Sequence, residues 1–455
     1  IVVEPGGVRV IWSDADAGGV QPEDVHTAHI SSSLMAAPET TISLGAPAHV
    51  HADVASGDTE IMMVFRSDVS GAHRIMLQTA SAYSASRGEP TMLAEGPMLD
   101  DPEIAWNGTL YLVIWSDRQT GKIVGARVTP DGTVLDDPAV TVMDGVDPDV
   151  AAVGDNYLVV ATDTGSPGVR RPYGVRVRGS DGAVLDAMPL MLGVSYARGA
   201  RVAGMGNRWL ATWERHPAHD DERADIWAAF VDTNGTSPGE FGVATNQATS
   251  ERHYSPAIGA SSSTALIVWE DTRTYPDDDW NLYARRVRVD GMLFDDPDGF
   301  GIAVGPLDQR NSAVAWNGTV CQVVFEQTEQ IGYFDQSLAD VYGTRVDAYG
   351  VLVEPPEFAV EASAASEVVP AVTGKNSESL AVISTFMGDS PYASYRLVMH
   401  ELGDGATGVS DGGKDPRALL AGAFPNPSHG TTTIRLALPA AADVIITVEE
   451  VSGGD

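Results

Sequence analysis

The chain has 455 residues, 43% of them hydrophobic, with 63 acidic residues against 28 basic ones and a formal net charge of −35. That length can bury a large core or several small ones, while a polyanion of this kind is repelled by nucleic acid and by anionic lipid, so neither is an expected partner. The single cysteine, Cys321, excludes an internal disulfide and cysteine-based metal motifs, and no run of about 18 apolar residues offers a transmembrane segment.

The sequence begins at Ile1 without methionine or a leader and so reads as a processed or partial chain. It then repeats one pattern: apolar segment, small turn, apolar run, aromatic residue, acid. The units start near Ile1, Ala48, Pro102, Pro148, Ala200, Pro256, Ala313 and Pro370. From the third on they are spaced by about 46–57 residues, a period within the range of β-propeller blades.

Each unit is read as up to four strands. The first is "PEIAWNG", "PDVAAVG", "SAVAWNG" and their equivalents, with proline as a first strand residue that loses no ladder donor. The second is a near-continuous apolar run such as "YLVIWSD", "YLVVATD" or "ALIVWED", as expected of a strand buried on both faces. The third ("IVGARV", "YGVRV", "LYARRV") leads through Asp-Gly or Asn-Gly turns into a short fourth strand. No segment has sustained helical periodicity. The expected fold is all-β, a β-propeller of four-stranded meander blades over residues 1–402. Eight blades is the direct count, and seven follows if a terminal unit is something else.

Two columns recur along the units. The second strand ends in Trp12, Phe65, Trp115, Ala161, Trp213, Trp269, Phe325 and Ser384, which reads as wedge filling between twisted sheets rather than as a ring of sugar platforms. Arg127, Arg176, Arg286 and Arg345 form the other column and are expected to pair with acids such as Asp117, Asp163 and Asp271 after the neighbouring strand. The duplicated "AWNGT" at 105–109 and 315–319 is a turn of the repeat, although Asn107 and Asn317 also stand in glycan acceptor sequons.

From residue 403 to 422 glycine, aspartate and serine dominate and no apolar pattern persists, as in a flexible linker. Beyond it come Phe424-Pro425-Asn426-Pro427, Thr431-Thr432-Thr433-Ile434-Arg435, Leu438-Pro439 and the strand "DVIITVEEVSG". On these motifs, residues 423–455 resemble the start of the immunoglobulin-like domain of the flagellar hook-capping type and the C-terminal sorting domains of type IX secretion substrates. The resemblance implies export across a bacterial outer membrane and an extracellular or cell-surface location, and it brings no catalytic residues. The repeats themselves are similar to "WNG-x-YLVVW" β-repeats of large exported bacterial proteins.

Candidate ligand sets lie in the loops after the second strands. Asp14 and Asp16, with Glu23 and Asp24, form one carboxylate cluster; Asp277, Asp278 and Asp279 form another; His216, His219 and Asp220, with Asp221 and Glu222, form a third. Clustered oxygens of this kind suit a hard cation, so Ca²⁺ is the one cofactor the sequence suggests, although the EF-hand spacing is not met. His49 and His51, two apart on one strand, and His26 and His29 are further candidates for a transition metal. No Asp box, nucleophile elbow, HExxH or P-loop occurs. The sequence therefore reads as a secreted, non-enzymatic binding or adhesion propeller with a polysaccharide or protein ligand at one rim. The alternatives are a subunit of an extracellular filament or array, assembling through the C-terminal strands, and a glycoside hydrolase or lyase that works through rim carboxylates.

Overall fold

Runs such as Tyr111–Asp117 and Thr264–Asp271 are buried almost residue by residue and pair on both sides with strands of mixed burial. A segment apolar on both faces requires a neighbouring sheet on each side, and that requirement assembles the molecule. A computed structural model describes residues 48–402 apart from residue 195 and the segments 70–71, 82–89, 163–169, 219–222, 246–251, 274–279, 329–338, 354–356, 363–365 and 388–393; before and after that stretch it describes strands only. All regular structure among the described residues is β-strand.

The chain divides into a unit of residues 1–406 and a unit of residues 407–455. In the first, consecutive antiparallel meanders form seven blades: 48–96, 99–144, 146–191, 196–244, 253–303, 308–361 and 367–402. Six have four strands, and the seventh is described with three. Their inner strands are Ala48–Ser56, Leu99–Trp106, Val146–Val153, Tyr196–Met205, His253–Ala260, Asp308–Trp316 and Glu367–Lys375, each packed against the next. The ring closes where the last of these meets the first. Ala52, Val54 and Phe65 of blade 1 share a core with Ala371, Leu380 and Val382 of blade 7, and the Ser56 N–H donates to Thr373 Oγ1 at 3.1 Å.

The expected count of eight is thereby corrected to seven. Residues 2–43 do form a four-stranded sheet of the same kind, but the ring is already closed by blades 1 and 7. Local patterning makes a sheet; packing between sheets decides how many enter a ring. In the second unit, Leu419–Phe424 pairs with Thr433–Ala437. The rest of the segment expected to be a linker and sorting domain lies outside the described residues.

The aromatic column fills the wedges between blades as expected. Phe65, Trp115, Trp213, Trp269 and Phe325 are all at most 2% exposed. Cys321 lies in the core between blades 5 and 6, where burial pushes its thiol up to about 12, so it behaves as a small apolar side chain.

The repeat prolines are not first strand residues. Pro102, Pro148, Pro256 and Pro370 stand inside inner strands, directly after residues with left-handed backbone: Asp101 (φ 47°), Asp147 (φ 52°), Ser255 (φ 47°) and Val369 (φ 51°). His51 (φ 49°), Gly199 (φ 57°) and Asn311 (φ 49°) occupy the same place in the other three blades. At each of the seven the register with the second strand slips. A proline is tolerated there because a bulge leaves its position unpaired.

The arginine column also finds other partners than expected. Arg127 pairs with Asp136 at 2.9 Å, Arg176 with Asp186 at 2.6 Å and Arg286 with Asp295 at 2.5 Å, all acids of the connection that leads into the short fourth strand. Asp117 is out of reach because Arg127 stands opposite Leu112, at the other end of the ladder, and Asp163 lies outside the described residues. Each guanidinium then crosses to the next blade: Arg127 donates to Ser180 O at 2.6 Å, Arg176 to Thr233 O at 2.6 Å and Arg286 to Ala348 O at 3.0 Å.

The two Asn-Gly turns serve the ring likewise. Asn317 Oδ1 accepts the Thr319 and Val320 N–H groups at 2.9 Å, and its Nδ2 donates to Ser379 Oγ of the next blade at 3.2 Å. Asn107 does the same through Thr109 and Leu110, donating to Asp155 O at 3.1 Å. Asn317 is 1% exposed, which leaves no room for a glycan.

Candidate functional site

Two residues past each bulge, the seven inner strands carry Asp53, Glu103, Asp149, Arg201, Ala257, Ala313 and Ala371 in ring order. Four successive blades thus bring charge to one station where the next three bring a methyl group. Asp53, Glu103, Asp149 and Arg201 are half-buried and stand on the inner strands, which border the ring's central channel.

Backbone N–H groups of the following blade hold two of the acids. Ile104 N–H donates to Asp53 Oδ2 at 2.8 Å, and Val202 N–H to Asp149 Oδ2 at 2.7 Å. The Glu103 and Asp53 side chains lie against each other, close enough for their carboxyls to interact directly. Burial, and then the charges of Asp53 and Asp149, push Glu103 well above the usual carboxylate range. Burial raises Asp149 to about 6 against the opposing pull of Arg201. Burial thus raises the proton affinity of all three carboxyls, Glu103 well above its ordinary value, and unequal proton affinities within one site are what general acid–base chemistry uses.

At the end of the channel where the inner strands begin, the bulge residues of blades 1–3 gather a second cluster. His51 Nδ1 lies 2.8 Å from Asp100 Oδ1 and 3.8 Å from Asp101 Oδ1. Arg66 also binds Asp100, while Arg118 reaches Asp100 at 3.2 Å, Asp101 at 2.6 Å and Asp147 at 3.2 Å. Asp100 is driven far below the usual carboxylate range despite its burial, by the His51 hydrogen bond and the Arg66 charge. Among the described residues, His51, Asp100 and Asp101 are the group whose ligand atoms lie close enough to share a metal ion, within 4.8 Å. With two guanidinium groups already on these carboxylates, the donor set suits an ion-pair network better than a cation.

Of the ligand sets expected from sequence, His216 is buried with its Nε2 3.0 Å from Glu214 Oε2. Asp14 ends a strand of the first sheet, and Asp16, Asp277, Asp278, Asp279, His219 and Asp220 lie outside the described residues. His49 and His51 do not act together: the bulge breaks the alternation between them, and the His49 ring packs on Phe65 at 4.9 Å. Asp53, Glu103, Asp149 and Arg201 were missed because each stands alone in its own unit. Their recurrence two residues after the bulge is the signal that could have found them.

No protein-family model matches the chain, and no curated protein matches it in sequence. Solved structures of similar shape include the β-propeller domain of the Trilobed protease from Pyrococcus furiosus, at 8% identity and a TM-score of 0.47, covering 79% of this chain and 96% of that one. Pyrococcus horikoshii acylaminoacyl peptidase aligns at 11% identity and a TM-score of 0.46, covering 78% of this chain and 52% of that one. Penicillium chrysogenum α-L-arabinanase complexed with arabinobiose aligns at 9% identity and a TM-score of 0.41, covering 66% and 92%. Likeness at this level concerns shape and transfers no chemistry. The expectation of a non-enzymatic propeller is nevertheless corrected on this chain's own geometry: it rested on missing local motifs, which are no guide where a ring assembles its acids one blade at a time.

Proposed function

We propose that the chain is a carboxylate-dependent glycoside hydrolase whose reaction centre is the channel set Glu103, Asp53, Asp149 and Arg201. The single observation that carries this reading is the convergence of three carboxyl groups and a guanidinium, Asp53, Glu103, Asp149 and Arg201, at one station of four successive inner strands. In the reaction, Glu103 gives its proton to the leaving oxygen as the glycosidic C–O bond breaks. Asp149 takes a proton from water as the water oxygen bonds to the anomeric carbon, and Arg201 balances the remaining negative charge. The resemblance of the tail to sorting domains supports an extracellular or cell-surface setting, where polysaccharide is at hand.

The test is release of reducing ends from a panel of neutral and acidic polysaccharides. Glu103→Gln and Asp149→Asn are each expected to lower kcat by about 10²–10⁴-fold while the proteins stay folded. Full activity in both folded variants, or no turnover of any panel member by the unaltered protein, overturns the assignment.

A further inference from the structure

The other half of the channel mouth, over blades 4–6, has a different character. Arg198 lies over the Tyr196 ring at 5.4 Å, Tyr196 meets His216 at 5.8 Å and His216 meets Tyr254 at 6.1 Å. Tyr254 meets Trp280 at 5.6 Å, and the Arg310 guanidinium covers Trp280 at 4.5 Å. Six side chains from three successive blades thus form one unbroken run of ring and cation contacts with an arginine at each end. Tyr196 and His216 are buried and support it from below; Tyr254 and Trp280 are half-buried, and Arg198 is exposed.

Its position is fixed by the repeat. Arg198, Tyr254 and Arg310 each directly precede the bulge residue of their inner strand, a station filled by Val50, Val146 and Val368 in three of the other blades. Three residues further along, blades 5 and 6 place Ala257 and Ala313 where blades 1–3 place acids. At that station the side under blades 5 and 6 therefore presents methyl groups where blades 1–3 present carboxyls. Arg310 is partly exposed; its Nε lies 3.5 Å from Glu270 Oε2, while Glu270 Oε1 accepts the Asn311 N–H at 2.9 Å, so a sugar carboxylate would share the guanidinium with Glu270.

We propose that this run is a substrate subsite for uronate-bearing oligosaccharides, in which the Tyr254 and Trp280 faces take sugar rings and Arg198 and Arg310 take the sugar carboxylates. This rests on the glycoside reading and gives it a substrate class. A net charge of −35 repels a polyanion at long range, so the selection acts at contact and favours short oligomers.

The experiment is calorimetric binding of a five-residue galacturonate oligomer and of its methyl ester, which keeps the sugar and removes the charge, to the Glu103→Gln chain. The acid is expected to bind about tenfold more tightly than the ester. Arg310→Gln and Arg198→Gln should each remove most of that preference without weakening the ester, whereas Trp280→Ala should weaken both. Equal affinity for acid and ester, no binding of either, or indifference to both arginine changes overturns the subsite. Turnover of neutral polysaccharides alone would leave the hydrolase standing and remove this specificity. Preferential binding of the acid, with no turnover by the unaltered chain, would do the reverse.

Discussion

Gly235 shows what one residue must satisfy here. It holds φ at 86°, and a Cβ on it would lie 2.8 Å from Cζ of Arg176, which crosses from the preceding blade to Thr233 O. Gly235→Ala is therefore expected to lose stability twice, about 1 kcal/mol for the backbone and about 1–2 kcal/mol for displacing the guanidinium from its partners. In an Arg176→Ala background only the first loss remains, so urea unfolding of the double-mutant cycle should be clearly non-additive; simple addition would contradict the contact. The Asn-Gly turn is legible locally. Its arginine is not, because that side chain arrives from another repeat.

At the scale of the element, the bulges join blade to blade. Glu214, Glu270 and Glu326 stand one or two residues before the ends of second strands, and each accepts the bulge N–H of the next blade: Ser255 at 2.8 Å, Asn311 at 2.9 Å and Val369 at 2.6 Å. Burial raises the Glu270 and Glu326 carboxyls above their ordinary range, and the accepted N–H groups pull against it. Glu326→Ala leaves the Val369 N–H without this acceptor, at an expected cost of about 1–3 kcal/mol, and hydrogen exchange at Val369 should quicken. Glu326→Gln, which keeps an acceptor oxygen, should lose less. Unchanged exchange in the alanine variant would show that the clasp contributes nothing. The strands and their alternation could be read from period and composition; the glutamate that trails each apolar run could be read only as a strand end.

For the whole molecule, the channel acids couple stability to pH. Asp149 is raised to about 6 in the folded chain from an ordinary carboxylate value near 4 when unfolded. Between these values the folded state holds the extra proton, so this group favours folding below about pH 4 and progressively loses that contribution as pH rises through 6. Its share is on the order of 2 kcal/mol. Lowering the pH from 7.5 to 5 should therefore raise the Tm of the unaltered chain relative to Asp149→Asn by a few degrees. An equal response in both proteins would mean that Asp149 is not held in this way.

By itself the sequence determined the strands, the meander of each unit, the turn at Asn107 and Asn317, and the aromatic wedge of Trp115 and Trp269. Each of these depends on residues within one repeat. The tertiary structure alone decided that seven blades close while residues 2–43 stay out of the ring, and that Arg127, Arg176 and Arg286 bind acids and turns other than those nearest in pattern. It also decided that Asp53, Glu103, Asp149 and Arg201 share one channel. The reason is geometric: a propeller brings equivalent stations of separate repeats together only when the last blade packs on the first, and no local pattern encodes where that closure falls.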